Sequence, residues 1–212
     1  MIAIANVCEN WAIGKGGNLI AHIPEDLENF RLTTIGGVCI MGRKTLDSLP
    51  GGKPLKNRIN IILAEKDDLP EWRTRTLNER VCARDAPVLF YHSVEEALKA
   101  VERYPKDIVF VIGGDPIYRQ FLPYCDTCYL TRTCLTPDDA DAFFPNLGVY
   151  EDYGPHTIPV EKSELDRLPK SKFFLAYEDD DWKWSSKAKV KYKYQVYERM
   201  YQNLFDGYWM IC

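Results

Sequence analysis

No stretch of this sequence approaches the roughly 18 consecutive apolar residues of a membrane-spanning helix, and the opening Met1-Ile2-Ala3-Ile4 has none of the basic residues that precede a secretory core. A basic excess is missing too. With 27 Lys and Arg against 31 Asp and Glu, the net charge of −4 argues against a nucleic-acid footprint, which needs positive charge gathered on one face. Histidine is scarce: His22, His92 and His156 stand far apart in unrelated contexts and suggest neither a ligand set nor a shared base. Seven cysteines, at 8, 39, 82, 125, 128, 134 and 212, are an odd and scattered set that makes no disulfide framework in a chain of this size, so free thiols are expected. Cys125-x-x-Cys128 with Cys134 offers three zinc ligands but no fourth at metal spacing, and Thr127 to Cys134 reads as a strand, so no metal is expected. Together these absences point to a cytoplasmic protein whose partners are small molecules, with neither nucleic acid nor membrane among them.

What is present is the material of one globular domain: 46% of the 212 residues are hydrophobic, enough for a sizeable core. Ile2 to Val7 is a short apolar run suited to a strand buried on both faces, and Asn10 to Asn18, with glycines at 14, 16 and 17, reads as a loop. A helix opens at Pro24. Val38-Cys39-Ile40-Met41 is a second buried strand, ending at Gly42 and leading into a helix through Arg43-Lys44-Thr45. After a turn at Pro50-Gly51-Gly52 come strands at Ile59 to Leu63 and Val88 to Tyr91, and Ser93-Val94-Glu95-Glu96 is a capping box that opens a helix to about Arg103. Ile108 to Ile112 is a fifth buried strand, and Gly113-Gly114-Asp115-Pro116 starts a further helix with proline set for its first position. Strands alternating with helices in this way imply a single α/β domain with a mainly parallel, doubly wound central sheet. Near the end, Lys187, Lys189, Lys191 and Lys193 alternate with Ala188, Val190, Tyr192 and Tyr194 at strand period, which adds an antiparallel edge strand with one wet face. Its lysines point away from its tyrosines, so it reads as solvated, with Glu178 to Asp181 placed to neutralise it.

Three places have the residues for chemistry. At about 100° per residue Phe30 projects between Asp26 and Leu27, so an acid, an aliphatic and an aromatic side chain share one arc of the helix from Pro24. That arc suits a pocket wall; equally, Glu25 and Asp26 are acids in a first helical turn, where the helix dipole favours them. Gly42-Arg43-Lys44-Thr45 and Gly113-Gly114-Asp115 are strand-to-helix junctions that aim backbone N–H groups at a phosphate, or else plain tight turns. Gly37 to Gly42 has the glycine spacing of a phosphate loop, but Arg43 intervenes before Lys44-Thr45 and the residues between the glycines are strand formers, so a nucleotide hydrolase is not expected. Nor do Gly113 and Gly114 make the three-glycine dinucleotide fingerprint.

In combination, the order and spacing of these pieces resemble the dihydrofolate reductase family over residues 1 to about 145 and again at 187 to 199. Ile13-Gly14 with Gly16-Gly17-Asn18 resembles the family's flexible loop over the nicotinamide. Ile23-Pro24-Glu25-Asp26-Leu27 with Phe30 resembles its pteridine-binding helix, and Met41-Gly42-Arg43-Lys44-Thr45 its coenzyme-phosphate turn. Lys53 to Leu63 resembles the segment that contacts the aminobenzoyl-glutamate end, and Ile112-Gly113-Gly114 with Ile117-Tyr118 the glycine pair beside the nicotinamide. Tyr129-Leu130-Thr131 and Tyr192 to Glu198 complete the pattern.

The resemblance implies an NADPH-dependent oxidoreductase of one-carbon metabolism that converts dihydrofolate to tetrahydrofolate and is an antifolate target. It implies that Asp26 accepts paired hydrogen bonds from the pteridine N3–H and 2-amino group, with Thr131 holding Asp26 or that amino group. Leu27, Phe30, Leu49 and Leu55 would sandwich the ligand's rings, Ile4, Ala5, Ile112 and Tyr118 would wall the pteridine, and Arg58 would clamp the glutamate carboxylate. Around the coenzyme it implies Asn6, Ile13, Gly14, Asn18, Leu19, Gly42, Arg43, Lys44, Thr45, Leu63, Ala64, Glu65, Gly113, Gly114, Asp115, Ile117 and Tyr118, with a cis peptide between the paired glycines.

The chain departs from the family's pattern at three points. Ala21 stands where the family often has a tryptophan that helps order an active-site water, which leaves a different proton path and a roomier pocket mouth. Ala64-Glu65-Lys66 replaces the hydroxyl residue that often binds the coenzyme 2′-phosphate; Glu65 repels that phosphate while Arg43, Lys44 and Lys66 attract it, so NADPH is expected with weakened selectivity over NADH. Asn6 stands where a small apolar residue is common. The expected layout is a reductase-like domain over 1–199, with an adenosine lobe at about 38–105 and a long connection at about 146–186. Residues 200–212 form an apolar extension that packs on the sheet or joins two copies of an otherwise monomeric protein. Two other readings are a pteridine- or pyrimidine-ring reductase of riboflavin synthesis, against which Asp26 and Arg58 together argue, and a nucleotide-binding protein without turnover.

Overall fold

The central sheet is built from the apolar runs in an order that differs from their order in the chain. The computed structural model describes residues 1–64, 87–147, 172–202 and 209–211. Strands β1 (Ile2–Val7), β4 (Val38–Gly42), β5 (Ile59–Leu63), β6 (Val88–Tyr91), β7 (Val109–Gly113) and β8 (Thr127–Thr133) lie parallel in the order β8-β1-β7-β4-β5-β6. Parallel neighbours need crossovers, and helices supply them: α1 (Pro24–Thr34), α2 (Arg43–Ser48), α3 (Val94–Val101) and α4 (Asp115–Phe121). The expected mainly parallel α/β fold is the one observed. A second, small sheet is formed by β2 (Ala12–Lys15), β3 (Asn18–Leu19) and β9 (Ala142–Phe143).

Because both faces of the parallel strands are covered, their residues are mostly apolar, with polar interruptions at Asn6 in β1, Asn60 in β5 and Thr131, Arg132 and Thr133 in β8. On one face Ala3, Val7, Ile40, Ile61, Val111, Phe121 and Leu130 pack into the larger core; on the other, Ile2, Ile4, Cys39, Met41, Leu46, Ile62 and Phe110 form a second. Alternation along β1 therefore assigns Ile2 and Ile4 to the second face, and Asn6 two residues further on follows them. Each fully buried aliphatic or aromatic side chain contributes about 1.5–3 kcal/mol to this packing.

Local chemistry sets the helix boundaries. Pro24 occupies the first turn of α1, Glu25 and Asp26 sit at its positive end and Arg31 at its negative end. Ser93 caps α3 by accepting from Glu96 N–H at 3.2 Å. The Glu96 carboxylate reaches back to His92 N–H at 3.0 Å, one residue before the reciprocal partner of a capping box, and the helix ends at Val101 rather than near Arg103.

The C-terminal part differs most from expectation. Strand β12 (Val190–Gln202) pairs antiparallel with β8, but it is no edge strand: β10 (Lys172–Glu178), from the segment read as a long connection, and β11 (Lys183–Ser185) lie along its other side. The strand starts at Val190 because Lys189, at φ 54°, still belongs to the turn after β11. Lys193 of the lysine stripe pairs with Glu178, as the acidic run suggested, and Lys183 on β11 pairs with Asp179. Strand β13 (Trp209–Ile211), from the apolar extension, pairs with β12 through Tyr201 and Met210. Among the described residues no helix is long and apolar enough to cross a membrane.

Candidate active site

The strand order reverses around β1, and at such a switch the C-terminal ends of parallel strands open a crevice. Asn6 near the end of β1, Gly42 at the end of β4, Gly113 at the end of β7 and Thr131 near the end of β8 all sit on this rim. The first turn of α1 brings Asp26 to it. There the Thr131 hydroxyl donates to Asp26 Oδ1, and Asn6 Nδ2 donates to Asp26 Oδ2 at 2.9 Å. Burial pushes the Asp26 carboxyl above its ordinary value, and the two hydrogen bonds, from Thr131 and Asn6, oppose that rise without cancelling it. A mere first-turn acid would lie in solvent; this one is held by two strands.

Phe30, Leu49, Leu55 and Ile112 pack as half-buried groups around the core that contains Ile4, so five of the expected wall residues belong to one cluster. Leu27 and Ala5 are half-buried. Leu55 is fixed by Asn60, whose amide accepts from Leu55 N–H at 2.9 Å and donates to the Leu55 carbonyl at 3.0 Å. Arg58 is buried, 9% exposed, with Nε donating to the Lys56 carbonyl at 2.9 Å and Nη1 to the Thr34 hydroxyl at 3.0 Å. Burial draws its guanidinium below its ordinary value, yet an arginine keeps its charge. It is therefore an oriented cation at the far end of α1, not the exposed strand-start charge that its position after Asn57 allows.

Three glycines bear on the expected coenzyme turns. The Gly113-Gly114 peptide is cis, and at Gly113, φ 99°, a Cβ would lie 2.6 Å from the Tyr118 ring. At Gly42 a Cβ would meet Ile117 at 3.1 Å. A Cβ on Gly114 would stand 3.5 Å from the Thr45 hydroxyl, so the β4–α2 and β7–α4 junctions are neighbours. Tyr118 is buried and donates its hydroxyl to the Ile4 carbonyl at 2.7 Å, tying α4 to β1. Asp115 is engaged by Arg119 at 2.5 Å and by Phe143 N–H at 3.2 Å. Arg43 pairs with Asp47 at 2.8 Å, Lys44 is exposed, and Leu63 and Ala64 are half-buried at the end of β5. Glu65 and Lys66 lie outside the described residues.

The glycine-bearing segment from Ile13 to Leu19 is ordered by acids that the sequence alone did not single out. Asp141 N–H donates to the Gly14 carbonyl at 3.2 Å, the Asp141 carboxylate accepts from Gly16 N–H at 2.8 Å, and Lys15 pairs with Asp139. Trp11 anchors the start of the segment, stacked on Phe144 with Arg132 4.5 Å above its ring. Asn18 and Leu19 are exposed on β3, just after the Gly16-Gly17 turn. Ala21 is buried with Ile23, Val190 and Tyr192, and Tyr194 packs against this group. Thr34 as the partner of Arg58 was likewise missed, although it lies two turns beyond Asp26 on the same helix.

Likeness to known proteins agrees with this geometry. The family model described as dihydrofolate reductase matches residues 1–154. The dihydrofolate reductase of Haemophilus influenzae is 38% identical over 138 residues, covering 65% of this chain and 74% of that protein. That of Staphylococcus haemolyticus is 34% identical over 167 residues, covering 78% and 87%. In three dimensions the chain is similar to the dihydrofolate reductase from Enterococcus faecalis complexed with NADP(H) and RAB-propyl, with TM-score 0.66 and 25% identity over 93% of this chain and 95% of that one.

Proposed function

The chain belongs to the dihydrofolate reductase family, and from that premise we infer that it reduces 7,8-dihydrofolate to 5,6,7,8-tetrahydrofolate with NADPH. The observation that carries the reading is Asp26, a half-buried carboxylate bonded to Thr131 and Asn6 on the rim of the parallel strands. Asp26 offers one further acceptor site on each oxygen to the pteridine N3–H and 2-amino group, a bidentate contact that fixes the ring's orientation. Ile4, Ala5, Ile112, Leu27 and Phe30 hold the ring and keep water from its faces, and Arg58 takes the glutamate carboxylate.

The turns at Gly42 and Gly113-Gly114 fit the coenzyme: a Cβ at either would be crowded, and Arg43, Lys44 and Thr45 supply cations and a hydroxyl for phosphates. When bound, NADPH supplies the hydride that passes to C6 of the pteridine. Asp26, by favouring the electron-poor protonated ring, prepares C6 to receive it, while solvent delivers the proton to N5. The 13–19 segment, tied down by Asp139 and Asp141, covers the nicotinamide and limits water at the reacting atoms.

Glu65, two residues beyond β5, weakens the preference for NADPH over NADH by repelling the 2′-phosphate. Replacing it by serine should raise the NADPH-to-NADH ratio of kcat/KM, and an unchanged ratio removes Glu65 from the argument. Among the described residues five cysteines are free thiols, four of them buried, which suits the cytoplasm. Pairing of β13 with β12 of the same chain supports a monomer; truncation before Tyr201 should leave the mass in solution that of one chain.

The deciding experiment follows NADPH absorbance on adding dihydrofolate to the parent and to Asp26→Asn. Oxidation by the parent, strongly reduced in the variant near neutral pH, is expected; a folded, NADPH-binding parent without oxidation would defeat the reading.

A further inference from the structure

Asp26 carries a protein donor on each oxygen, and the two come from adjacent strands. Asn6 on β1 and Thr131 on β8 are direct partners in the parallel register, so their side chains rise together from one face of the sheet against the first turn of α1. Asparagine is a poor strand residue, and a half-buried amide is costly unless bonded. A small apolar side chain would suit this position in β1 better. What the amide adds is the 2.9 Å bond to Asp26 Oδ2.

An ionised carboxylate has about four acceptor positions. Thr131 fills one on Oδ1 and Asn6 one on Oδ2, which leaves one free on each oxygen, the arrangement that two parallel N–H donors require. We propose that Asn6 is a positioning residue of this reductase: by holding Oδ2 of Asp26 it fixes the plane of the carboxylate toward the substrate's paired N–H groups and favours its ionised form. This rests on the reading of Asp26 as the group that grips the pteridine. It also moves the Asn6 side chain from the coenzyme's surroundings to the substrate's.

The other titratable groups near Asp26 leave this role to neutral donors. Tyr118 on α4 and Tyr192 and Tyr194 on β12 all feel the Asp26 charge, and burial raises each phenol above its ordinary value, so they stay uncharged at neutral pH. Glu25, its neighbour on α1, is turned to the Ser185 hydroxyl at 2.9 Å. No Lys or Arg pairs with Asp26 among the described residues. Burial and two hydrogen bonds therefore set its affinity for a proton, and loss of one bond must be felt.

The test uses the full chain with aspartate labelled at the carboxyl carbon, titrated by carbon NMR without substrate or coenzyme; Asp26→Asn assigns the signal. Asn6→Leu keeps the size and removes the donor, and Asn6→Ala removes both. In both variants the Asp26 midpoint should move to higher pH. In both, kcat/KM for dihydrofolate should fall about tenfold at pH values below the new midpoint, the loss expected for one hydrogen bond to a charged group, while the NADPH dissociation constant stays that of the parent. An Asp26 midpoint unmoved in Asn6→Leu overturns the proposal, as does weakened NADPH binding with the carboxyl titration unchanged. A spacing role alone would disturb Asn6→Ala and spare Asn6→Leu, and that result also overturns it. If the parent fails to oxidise NADPH, the reductase reading falls, while the ligand-free titration still decides whether Asn6 governs Asp26.

Discussion

Thr131 donates its hydroxyl to Oδ1 of Asp26, joining β8 to the first turn of α1 across 105 residues of sequence. The bond stabilises the ionised carboxylate, so its loss strengthens the effect of burial that already raises Asp26. Thr131→Val keeps the branched shape and deletes the donor. The expected outcome is a fall in kcat/KM for dihydrofolate of about tenfold, from one hydrogen bond to a charged group, with the acid limb of the pH profile displaced upward. Steady-state kinetics across pH checks both.

Asp26 should also cost stability. Its carboxyl titrates higher in the folded chain than its ordinary 3.8, so the fold penalises the ionised form. The contribution is fully favourable below the unfolded value and is lost as pH rises through the folded one. As pH rises through the folded value the parent takes on this penalty, whereas Asp26→Asn bears none at any pH. The variant should therefore melt higher at pH 7, by about 2–4 °C for each kcal/mol relieved, and the gap should close as pH falls toward 3.8. Thermal denaturation of both proteins at several pH values measures it, and equal melting at pH 7 would contradict the burial of the charge.

How much of this was legible in the sequence depends on where the information lies. Most of the parallel strands were readable because they appear as short, largely apolar runs; Ile59 to Leu63 was placed to the residue even with Asn60 inside it. Asp26 stood out because helix periodicity is local. Of its partners, Thr131 was expected through the family resemblance, whereas Asn6 was placed with the coenzyme, because it reaches Asp26 only through the β1–β8 register and the crossing of α1, which no window of sequence contains. Thr34 and Arg58 meet for the same reason, 24 residues apart. Strand β10 was missed inside a segment read as connection, and the position of β12 as an interior strand went with it. Asp139 and Asp141 gave no signal, since their role depends on a loop packing beside β2.

Arg58 offers a separable test of the far end of the site. Thr34 and the Lys56 carbonyl orient its guanidinium, which suits the planar carboxylate of a glutamate tail better than a lysine would. Arg58→Leu should raise KM for dihydrofolate by about 10- to 100-fold, the loss of a paired, partly desolvated charge contact. A dihydropteridine lacking the aminobenzoyl-glutamate tail should show no change. Equal losses on both substrates would mean that Arg58 supports the fold rather than the ligand.

Asp141 binds the 13–19 segment through two bonds in opposite directions, its own N–H to the Gly14 carbonyl and its carboxylate from Gly16 N–H at 2.8 Å. Only the second depends on the side chain, and Asp141 is exposed, so solvent discounts its strength. Asp141→Ala should therefore loosen the segment without unfolding it. The expected result is a fall of about threefold to tenfold in the hydride-transfer rate, scaled from one screened hydrogen bond, with KM for dihydrofolate near the parent value. Asp141→Asn retains an oxygen acceptor and should lose less. Single-turnover kinetics with NADPH, compared with NADPH deuterated at the transferred position, isolates that step. Because the Asp139–Lys15 pair holds the same segment, Asp139→Ala combined with Asp141→Ala should lose more than either alone, and a double variant that transfers hydride at the parent rate would show that the tie does not serve the reaction.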